Sequence, residues 1–540
     1  MAEPTIQLGG GNWAGKTDNL LGYYKEGERF YKQDFTFSRS TTGTYTDKDG
    51  YIQEMPYNLL TYSNDFTQWT IQSGVTATHN TTETLSPDGT NNATKFVGNG
   101  TTGVLKSTSV TGVVARSIYL KSVSGTINVT FKDPIFTVTQ KSLSVTTEWQ
   151  RFDLIEDNTH SSTQGLWIDD IPSSGIYMWG GQINKGSSAK TYFPTTTRLN
   201  MPRVDYLNNS NGSLILEPQR SNLITNSNSN SLNFALDNVS MTYNSIISPD
   251  GETNGILFEQ TGSANSNSAY NYGLTTTDGT YSYSLFIKAK DSTQFRFYSS
   301  NGASTLVQDF NPLEMTEGIL SGNLNLKFED YGNGWFRVSF TRTLSSAAFH
   351  RLQIYPDRNN TQKGVYIFGL QVESGGNYAT SYIPTSGSSV TRNADACSIS
   401  NVADRINSTE GVIEIKLQGL INGGDSRKIS ISDGTNDNRI FIKASSTSNY
   451  WELGIEGSNG GLINDNFTTS LDQTLISVIK LKWKSGDIGV KVNDVEIYTN
   501  SSTFTMQPLN KLQFQKSSGN GDVFLGKIYD LKIYNNIDNY

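Results

Sequence analysis

The chain of 540 residues is too long for one hydrophobic core and predicts three or four domains. Its 50 glycines, 27 tyrosines and low charged fraction of 17% are typical of short strands joined by polar turns, and they argue against a helical protein. A net charge of −8 without a basic stripe argues against nucleic-acid binding. No apolar run approaches the ~20 residues of a membrane span, which argues against membrane insertion.

The single cysteine, Cys397, excludes an internal disulfide and is suited to a small buried position. The N-terminal sequence MAEPTIQLGGG lacks the charged start and apolar stretch of a signal peptide. We therefore expect the chain to be made in a reducing cytoplasm.

Residues 1–57 do not have the periodicity of a full domain. Trp13 and the Tyr23-Tyr24 pair are apolar clusters in polar sequence, and such clusters cannot form a core alone. Each of these side chains would forgo roughly 1.5–3 kcal/mol of hydrophobic stabilisation if it were left in water. The sequence therefore predicts an anchoring arm, made of residues 1–57, that docks Trp13, Tyr23 and Tyr24 onto a partner chain.

Residues 58–201 and 222–398 are predicted to be two copies of one module. They share five landmarks in the same order, which are NLLT with NLIT, SPDGTN with SPDGET, SIYLKS with SLFIKA, EWQRF with GWFRV, and YMWGGQI with YIFGLQV. Ordered landmarks with drifting spacing indicate duplication of a folded domain rather than a short-period repeat. Between the copies, residues 202–221 form a connector in which Leu214, Ile215 and Leu216 predict a buried strand.

Residues 408–540 alternate apolar and polar side chains, as in GVIEIKL and VIKLKWK, and contain a VNDVEIY hairpin. This pattern predicts a third β-sandwich. The fold class is therefore all-β, with tandem β-sandwiches and an N-terminal arm.

The stretch PRVDYLNNSNGSLILEPQRSNL resembles a segment that recurs in structural proteins of tailed bacteriophages, namely fibre, spike or decoration proteins. The module pattern resembles jelly-roll carbohydrate-binding modules, and the run from Lys480 to the end resembles laminin-G-like, concanavalin-A-like sandwiches. The resemblance implies a surface-exposed virion protein made in the host cytoplasm, joined to other virion proteins through its arm. It also implies binding to host cell-surface polysaccharide, and by analogy a homotrimer.

The candidate glycan-binding residues lie in the last domain. A sugar ring packs on an aromatic face, and its hydroxyls need planar donors and acceptors. Trp451 begins a strand after Ser-Asn-Tyr and is the best candidate for an exposed platform, whereas Trp149, Trp179, Trp335 and Trp483 are predicted to be core residues. The turn residues Asp433, Asn436, Asp437 and Asn438 could bind sugar or calcium, or form a plain hairpin turn.

The sequence gives little support for an enzymatic function. The three histidines stand far apart, and no transition-metal or nucleophile motif occurs. The carboxylate pairs Asp169 with Asp170, Glu329 with Asp330, and Asp433 with Asp465 could serve a glycosidase but are equally turn residues. We therefore expect no catalytic residues. Three hypotheses remain, which are glycan adhesion, a purely structural spacer or decoration, and a surface glycan hydrolase.

Overall fold

A computed structural model describes residues 3–16, 18–26, 29–109, 112–133, 140–158, 163–196, 200–227, 232, 234–262, 268–274, 278–302, 304–317, 324–345, 350–359, 361–424, 427–457, 462–468, 472–519 and 521–540. The described chain is built from antiparallel β-strands and one short 3-10 helix, Phe66–Gln68. The predicted all-β class with several sandwiches is confirmed. Within the described residues, no helix is long and apolar enough to cross a membrane.

The N-terminal part contains β1 (Ile6–Gly9), β2 (Gly15–Lys16), β3 (Asn19–Leu20), β4 (Gly22–Glu26), β5 (Arg29–Lys32), β6 (Phe35–Ser38), β7 (Gly43–Thr46) and β8 (Ile52–Met55). Residues 58–201, called module 1, contain β9 (Thr70–Ile71), β10 (Thr76–Thr78), β11 (Thr94–Val97), β12 (Val104–Ser109), β13 (Gly112–Ser122), β14 (Ile127–Lys132), β15 (Gln140–Val145), β16 (Gln150–Asn158), β17 (Thr163–Asp169) and β18 (Ile176–Lys185). The connector contains β19 (Val204–Asp205), β20 (Ser213–Leu216) and β21 (Arg220–Asn222).

Residues 222–398, called module 2, contain β22 (Ala235–Asp237), β23 (Val239–Ile246), β24 (Gly255–Gln260), β25 (Ser268–Leu274), β26 (Gly279–Ala289), β27 (Phe295–Ser300), β28 (Thr305–Asn311), β29 (Thr316–Glu317), β30 (Lys327–Asp330), β31 (Trp335–Leu344), β32 (His350–Tyr355), β33 (Gly364–Ser374) and β34 (Val390–Arg392). The last part contains β35 (Ala396–Ser400), β36 (Glu410–Gly419), β37 (Arg427–Ser432), β38 (Arg439–Ala444), β39 (Tyr450–Glu456), β40 (Leu462–Thr468), β41 (Ser477–Lys484), β42 (Ile488–Val492), β43 (Val495–Asn500), β44 (Lys511–Gln513) and β45 (Gly526–Tyr534).

The two modules have the same strand order. Module 1 pairs a β10-β11-β18-β13-β16 sheet with a β15-β14-β17-β12-β9 sheet. Module 2 repeats these sheets as β23-β24-β33-β26-β31 and β28-β27-β32-β25-β22; the first also includes β30, β21 and β34, and the second is lengthened by β29. Each module has its own apolar core between its sheets. The identical order is what duplication of a folded domain predicts.

The shared landmark Asn-Leu begins both copies for a structural reason. The amide of Asn58 donates to two backbone carbonyl groups and accepts from two backbone N–H groups. Asn222 makes the same four bonds in module 2. Both side chains are fully buried, so each amide satisfies backbone groups that would otherwise be orphaned.

The third sandwich is assembled from distant parts of the chain. One sheet has the order β43-β42-β41-β36-β45-β1-β4-β5, with β20 also paired to β45, and the other has the order β2-β3-β6-β35-β44-β37-β38-β39-β40. Ile6, Leu8, Phe35 and Phe37 are buried in its core. We call this body the C-terminal sandwich.

The predicted free arm is therefore corrected, because the first 38 residues supply six strands of the C-terminal sandwich. The Trp13 indole donates to the carbonyl of Asn211 at 3.0 Å and its ring packs on the same core. Tyr23 is 8% exposed, and its hydroxyl accepts from Asn12 at 3.0 Å. The side chain of Tyr24 lies outside the described residues. Alternating strands such as FTFS need a sheet to bury their apolar side, and this chain supplies it.

Module 1 is inserted into the rest of the chain. Residues 54–201 form one compact unit, and residues 1–53 and 202–540 form the other. The second unit continues across the insertion, because the backbone N–H of Thr46 donates to Asp205 at 2.7 Å and the N–H of Tyr206 donates to the carbonyl of Thr46 at 2.9 Å.

A buried ion network holds the C-terminal sandwich to module 2. Asp395 accepts from Arg39 at 2.8 Å and from Arg203 at 2.5 Å. Glu217 forms ion pairs with Arg203 at 2.8 Å and with Arg392 at 2.9 Å. All five side chains are at most 2% exposed. Burial alone would raise the pKa of Glu217, but the two arginines hold it well below its usual range.

Module 2 contains a buried histidine. His350 is fully buried, with Nε2 at 3.0 Å from the Ser299 hydroxyl and 3.1 Å from the Tyr283 hydroxyl. The Ser299 hydroxyl also accepts from Arg342 at 2.7 Å. Burial, and next the charge of Arg342, lowers the pKa of His350 from 6.5 to about 4. The imidazole is therefore neutral in the folded protein at pH 7.

We predict that module 1 can be removed as a unit. Replacing residues 54–201 by a short Gly/Ser linker should leave a soluble chain with a cooperative thermal transition, because both cut ends belong to the same surrounding unit. Scanning calorimetry checks this. As a control, removal of residues 222–395 should abolish cooperative folding, since it takes Arg392 and Asp395 out of the ion network. Aggregation of the first variant would disprove the insertion.

We predict that Asp395→Ala destabilises the chain by roughly 3–5 kcal/mol, because it leaves buried arginines without a counter-charge. Asp494→Ala is the control, since this carboxylate pairs with Lys480 but is 80% exposed, and its loss should cost about 0–1 kcal/mol. Calorimetry of the two variants measures the difference. Equal shifts in transition temperature would contradict the structural role of the network.

We predict an acid-sensitive contribution from His350. Its folded pKa lies below its unfolded value of 6.5, so its contribution to stability is complete above pH 6.5 and is lost as the pH falls toward about 4. The loss amounts to roughly 3 kcal/mol. His350→Gln should flatten the change in melting temperature between pH 7 and 4.5. A wild-type slope in H350Q would refute the assignment.

Candidate functional site

The predicted turn at residues 433–438 connects β37 and β38. Asp433 Oδ1 accepts from the N–H and the hydroxyl of Thr435 at 2.8 and 2.6 Å. Asn438 is 3% exposed and makes both of its amide bonds with the backbone of Gln507, at 3.1 and 2.9 Å. These hydrogen bonds stabilise the turn itself and attach it to the loop that contains Gln507.

The two remaining turn residues differ in their contacts. The Asn436 side chain accepts from Arg439 at 2.8 Å, whereas Asp437 is exposed and its backbone N–H donates to Thr435. Among the described residues, no group of three or more His, Cys, Asp or Glu side chains could hold a metal ion.

Trp451 is not the exposed platform that the sequence predicted, and this expectation is corrected. It is 4% exposed and lies in the core of the C-terminal sandwich with Leu453 and Ile455. Alternation along β39 instead directs Tyr450 outward, where it is 39% exposed. The register places Ala444 opposite Trp451 and Arg439 opposite Glu456, so the turn and Trp451 are about 17 Å apart along the sheet.

Members of each carboxylate pair that could serve a glycosidase are engaged in structural contacts. Asp169 is 6% exposed and forms an ion pair with Lys132 at 2.5 Å, and Asp170 accepts from Thr130 at 2.6 Å. Asp330 accepts from the backbone N–H of Gly332 at 2.8 Å. The side chain of Asp465 lies outside the described residues.

A set of aromatic side chains that the sequence analysis did not select lies on the outer face of module 1. Tyr119 on β13 contacts Trp179 on β18 at 5.2 Å between ring centroids, and Trp179 contacts Tyr192 at 4.6 Å. Trp149 lies two residues before Arg151, which is opposite Tyr119 in the register, so alternation places Trp149 on the same side of the sheet. We call Tyr119, Trp149, Trp179 and Tyr192 the module 1 aromatic face. Tyr119, Trp149 and Tyr192 are partly exposed, and Trp179 is 5% exposed.

Hydrogen bonds fix these rings in place. The Trp149 indole donates to the carbonyl of Leu85 at 2.7 Å, and the Trp179 indole donates to Asn92 at 2.7 Å. The Tyr192 hydroxyl donates to Asn64 Oδ1 at 2.6 Å, and burial raises the pKa of this tyrosine. A rigid aromatic surface loses little conformational freedom when a ligand binds.

Arg151 and two free polar groups complete the face. The Arg151 guanidinium lies 5.5 Å from the centroid of the Tyr119 ring and donates to Ser117 and to the carbonyl of Lys190. Within the described part of the chain, the Tyr119 hydroxyl and the Asn64 amide nitrogen have no hydrogen-bond partner. Both can therefore bond to a ligand.

The equivalent face of module 2 is closed. Phe286, Trp335, Phe368 and Tyr382 form one buried cluster with Ile52, which is 6% exposed. The N–H of Ile52 donates to the carbonyl of Pro249 at 2.7 Å. In module 2 the hairpin of β7 and β8 therefore covers the surface that module 1 leaves accessible.

The same contrast appears at the shared Ser-Pro-Asp-Gly turns. A methyl group added to Gly251 would lie 3.2 Å from the ring of Tyr51, whereas one added to Gly89 would meet nothing within 4 Å. Pro249 is buried and its counterpart Pro87 is exposed.

Residue chemistry follows this difference in exposure. Where the face is covered, two positions hold Phe286 and Phe368. In module 1 the same positions hold Tyr119, which is partly exposed and carries a hydroxyl for water or a ligand, and Trp179, whose indole N–H bonds to Asn92. Trp335 and Trp483, at 2% and 0% exposure, are core residues as predicted, but Trp149 is not fully buried. Comparing the landmarks SIYLKS and SLFIKA position by position could have found Tyr119.

Within the part of the chain that the structure describes, one buried atom in module 2 lacks a hydrogen-bond partner because Phe stands where module 1 has Trp. In module 1 the Trp179 indole donates to Asn92, but Phe368 has no N–H to offer at that place in module 2. Oδ1 of Asn254, the counterpart of Asn92, is buried and without a hydrogen-bond partner among the described residues. The indole N–H of Trp179 thus satisfies an acceptor in module 1 whose counterpart in module 2 is left without a donor in the described chain.

No family model and no curated protein matches the chain. Solved structures with local likeness include the CBM40 of the Ruminococcus gnavus IT-sialidase, at 12% identity over 24% of this chain and 77% of that one, with a TM-score of 0.22. The CBM22-1–CBM22-2 tandem domain of Paenibacillus barcinonensis Xyn10C matches at 12% identity over 59% and 98%, with a TM-score of 0.20. Domains LG4-5 of the mouse laminin alpha1 chain match at 10% identity over 51% and 88%, with a TM-score of 0.20. At these TM-scores we base neither fold nor function on the likenesses.

Proposed function

We propose that this protein is an adhesion protein that binds cell-surface polysaccharide through the module 1 aromatic face. The observation that carries the proposal is the contrast between the two copies of one face. In module 2 two of the four ring positions hold Phe and Ile52 seals the face. In module 1 those positions hold Tyr119 and Trp179, and three of the four rings are partly exposed. Accessible aromatic clusters on a rigid scaffold are typical of binding surfaces.

The chemistry of the face suits a pyranose ring. The C–H side of a sugar packs on the rings of Tyr119 and Trp149, and its hydroxyls can bond to the Tyr119 hydroxyl and the Asn64 amide. Arg151 stacked on Tyr119 adds a cation beside the platform. No step in such binding needs a metal or a catalytic carboxylate.

The setting we propose is the surface of a virion, which rests on the resemblance of the LEPQRSNL stretch to phage structural proteins. Other virion proteins would then be its partners, and a homotrimer would multiply weak sugar sites by avidity, which can reach ~10²–10⁴. Attachment to the particle would have to use a surface other than Trp13 and Tyr23, since both contact the chain's own C-terminal sandwich.

We predict that Tyr119→Ala and Trp149→Ala each weaken polysaccharide binding by about tenfold, because the lost stacking is worth roughly 0.5–1.5 kcal/mol beyond buried area. Tyr119→Phe should retain most of the affinity, since the ring remains. The measurement is binding of the full chain to an array of bacterial surface polysaccharides, with melting temperature as a check on folding.

Tyr450→Ala is the matched control, because Tyr450 is an exposed aromatic residue outside the face. Wild-type binding by Y119A and W149A would reject the proposed site. A chain that binds no glycan would favour the spacer role, and release of oligosaccharide from the array would favour a hydrolase.

A further inference from the structure

A second concave site is built from module 2 and the β7–β8 hairpin. A cleft of about 290 Å³ is walled by Tyr51, Ile247, Tyr331 and Trp335, with Lys288 and Asn333 at its edge. This volume falls at the lower end of the ~300–1,000 Å³ of small-molecule sites, so the cleft holds one ring rather than an extended chain.

The walls come from separate segments and are held in place. Trp335 donates its indole N–H to the carbonyl of Ile247 at 3.1 Å. Tyr51 reaches the cleft from the β7–β8 hairpin, which the bond from Ile52 to Pro249 secures. Tyr331 packs edge-on against Phe286 at 4.9 Å between ring centroids. The cleft exists only because the hairpin closes this side of module 2.

The charge of the cleft has one sign. Lys288 is the single charged side chain among its lining residues, all of which are described. Its ammonium donates to the carbonyl of Asn333 at 2.7 Å, which positions it and leaves two N–H donors. Within the described residues, neither the Tyr51 hydroxyl nor the Asn333 amide has a hydrogen-bond partner, so both are available to a ligand.

We propose that this cleft binds a single acidic sugar residue, with the carboxylate at Lys288, the ring between the aromatic walls and its hydroxyls at Tyr51 and Asn333. A charge-assisted bond to one carboxylate is the strongest contact the site can make. A neutral sugar would leave the ammonium without a counter-charge. The ligand class rests on the glycan-binding role proposed above, but the site itself is distinct from the module 1 aromatic face.

The test is calorimetric titration of the full chain with galacturonate and glucuronate, and with galactose and glucose as neutral counterparts. We expect the uronates to bind at least tenfold more tightly than the neutral sugars. Lys288→Met should abolish this preference, Lys288→Arg should restore part of it, and Asn333→Ala should weaken binding severalfold. Unchanged melting temperatures would show that the variants fold.

Lys121→Met is the matched control, because Lys121 occupies the same landmark position in module 1 but donates to Thr84. It should bind uronates like the wild type. Equal binding of neutral and acidic sugars, unchanged uronate binding by K288M, or no uronate binding at all would overturn the proposal. Loss of uronate binding in Y119A with K288M unaffected would assign it to the module 1 face instead.

Discussion

The structure depends most on the ion network of Arg39, Arg203, Glu217, Arg392 and Asp395. A buried charge is tolerated only when its counter-charge is in place, so the five side chains must be brought together at once. They come from four separate parts of the chain, which are the end of β6, the two sides of the β19–β20 hairpin and the segment that leads into β35. Their pairing forces the N-terminal segment, the connector and module 2 to fold around one point. This constraint explains why residues 1–38 belong to the C-terminal sandwich.

The insertion of module 1 follows from the same arrangement. The chain leaves the surrounding unit after Gln53 and returns at Pro202, and the bonds between Thr46 and the Asp205–Tyr206 pair close the gap. Because those bonds and the ion network lie wholly within the surrounding unit, module 1 carries no part of them. It is thus free to diverge from module 2 without a cost to the junction.

The divergence is visible on one face of the duplicated sandwich. In module 2 the β7–β8 hairpin covers the outer sheet, and Phe286 and Phe368 fill two of the covered positions beside Trp335 and Tyr382. In module 1 those two positions hold Tyr119 and Trp179, and hydrogen bonds to Asn64, Asn92 and the carbonyl of Leu85 hold Tyr192, Trp179 and Trp149 in place. A covered surface is stabilised by apolar packing, whereas an accessible surface is stabilised by groups that can hydrogen-bond to water or to a sugar. The hairpin also creates the Lys288 cleft, so the two modules offer different sites built on one scaffold.

Local sequence alone determined the all-β class, the duplication and the buried strand at Leu214–Leu216. These features follow from alternation, turn residues and repeated landmarks, which act over a few residues. Local sequence did not determine where the N-terminal strands pair. An amphipathic strand such as FTFS requires a neighbouring strand, but its sequence does not specify which one. It also misjudged Trp451 and Trp149. Which side of a strand faces solvent is decided by what packs on it, and the cover at Ile52 comes from a segment almost 200 residues before Pro249.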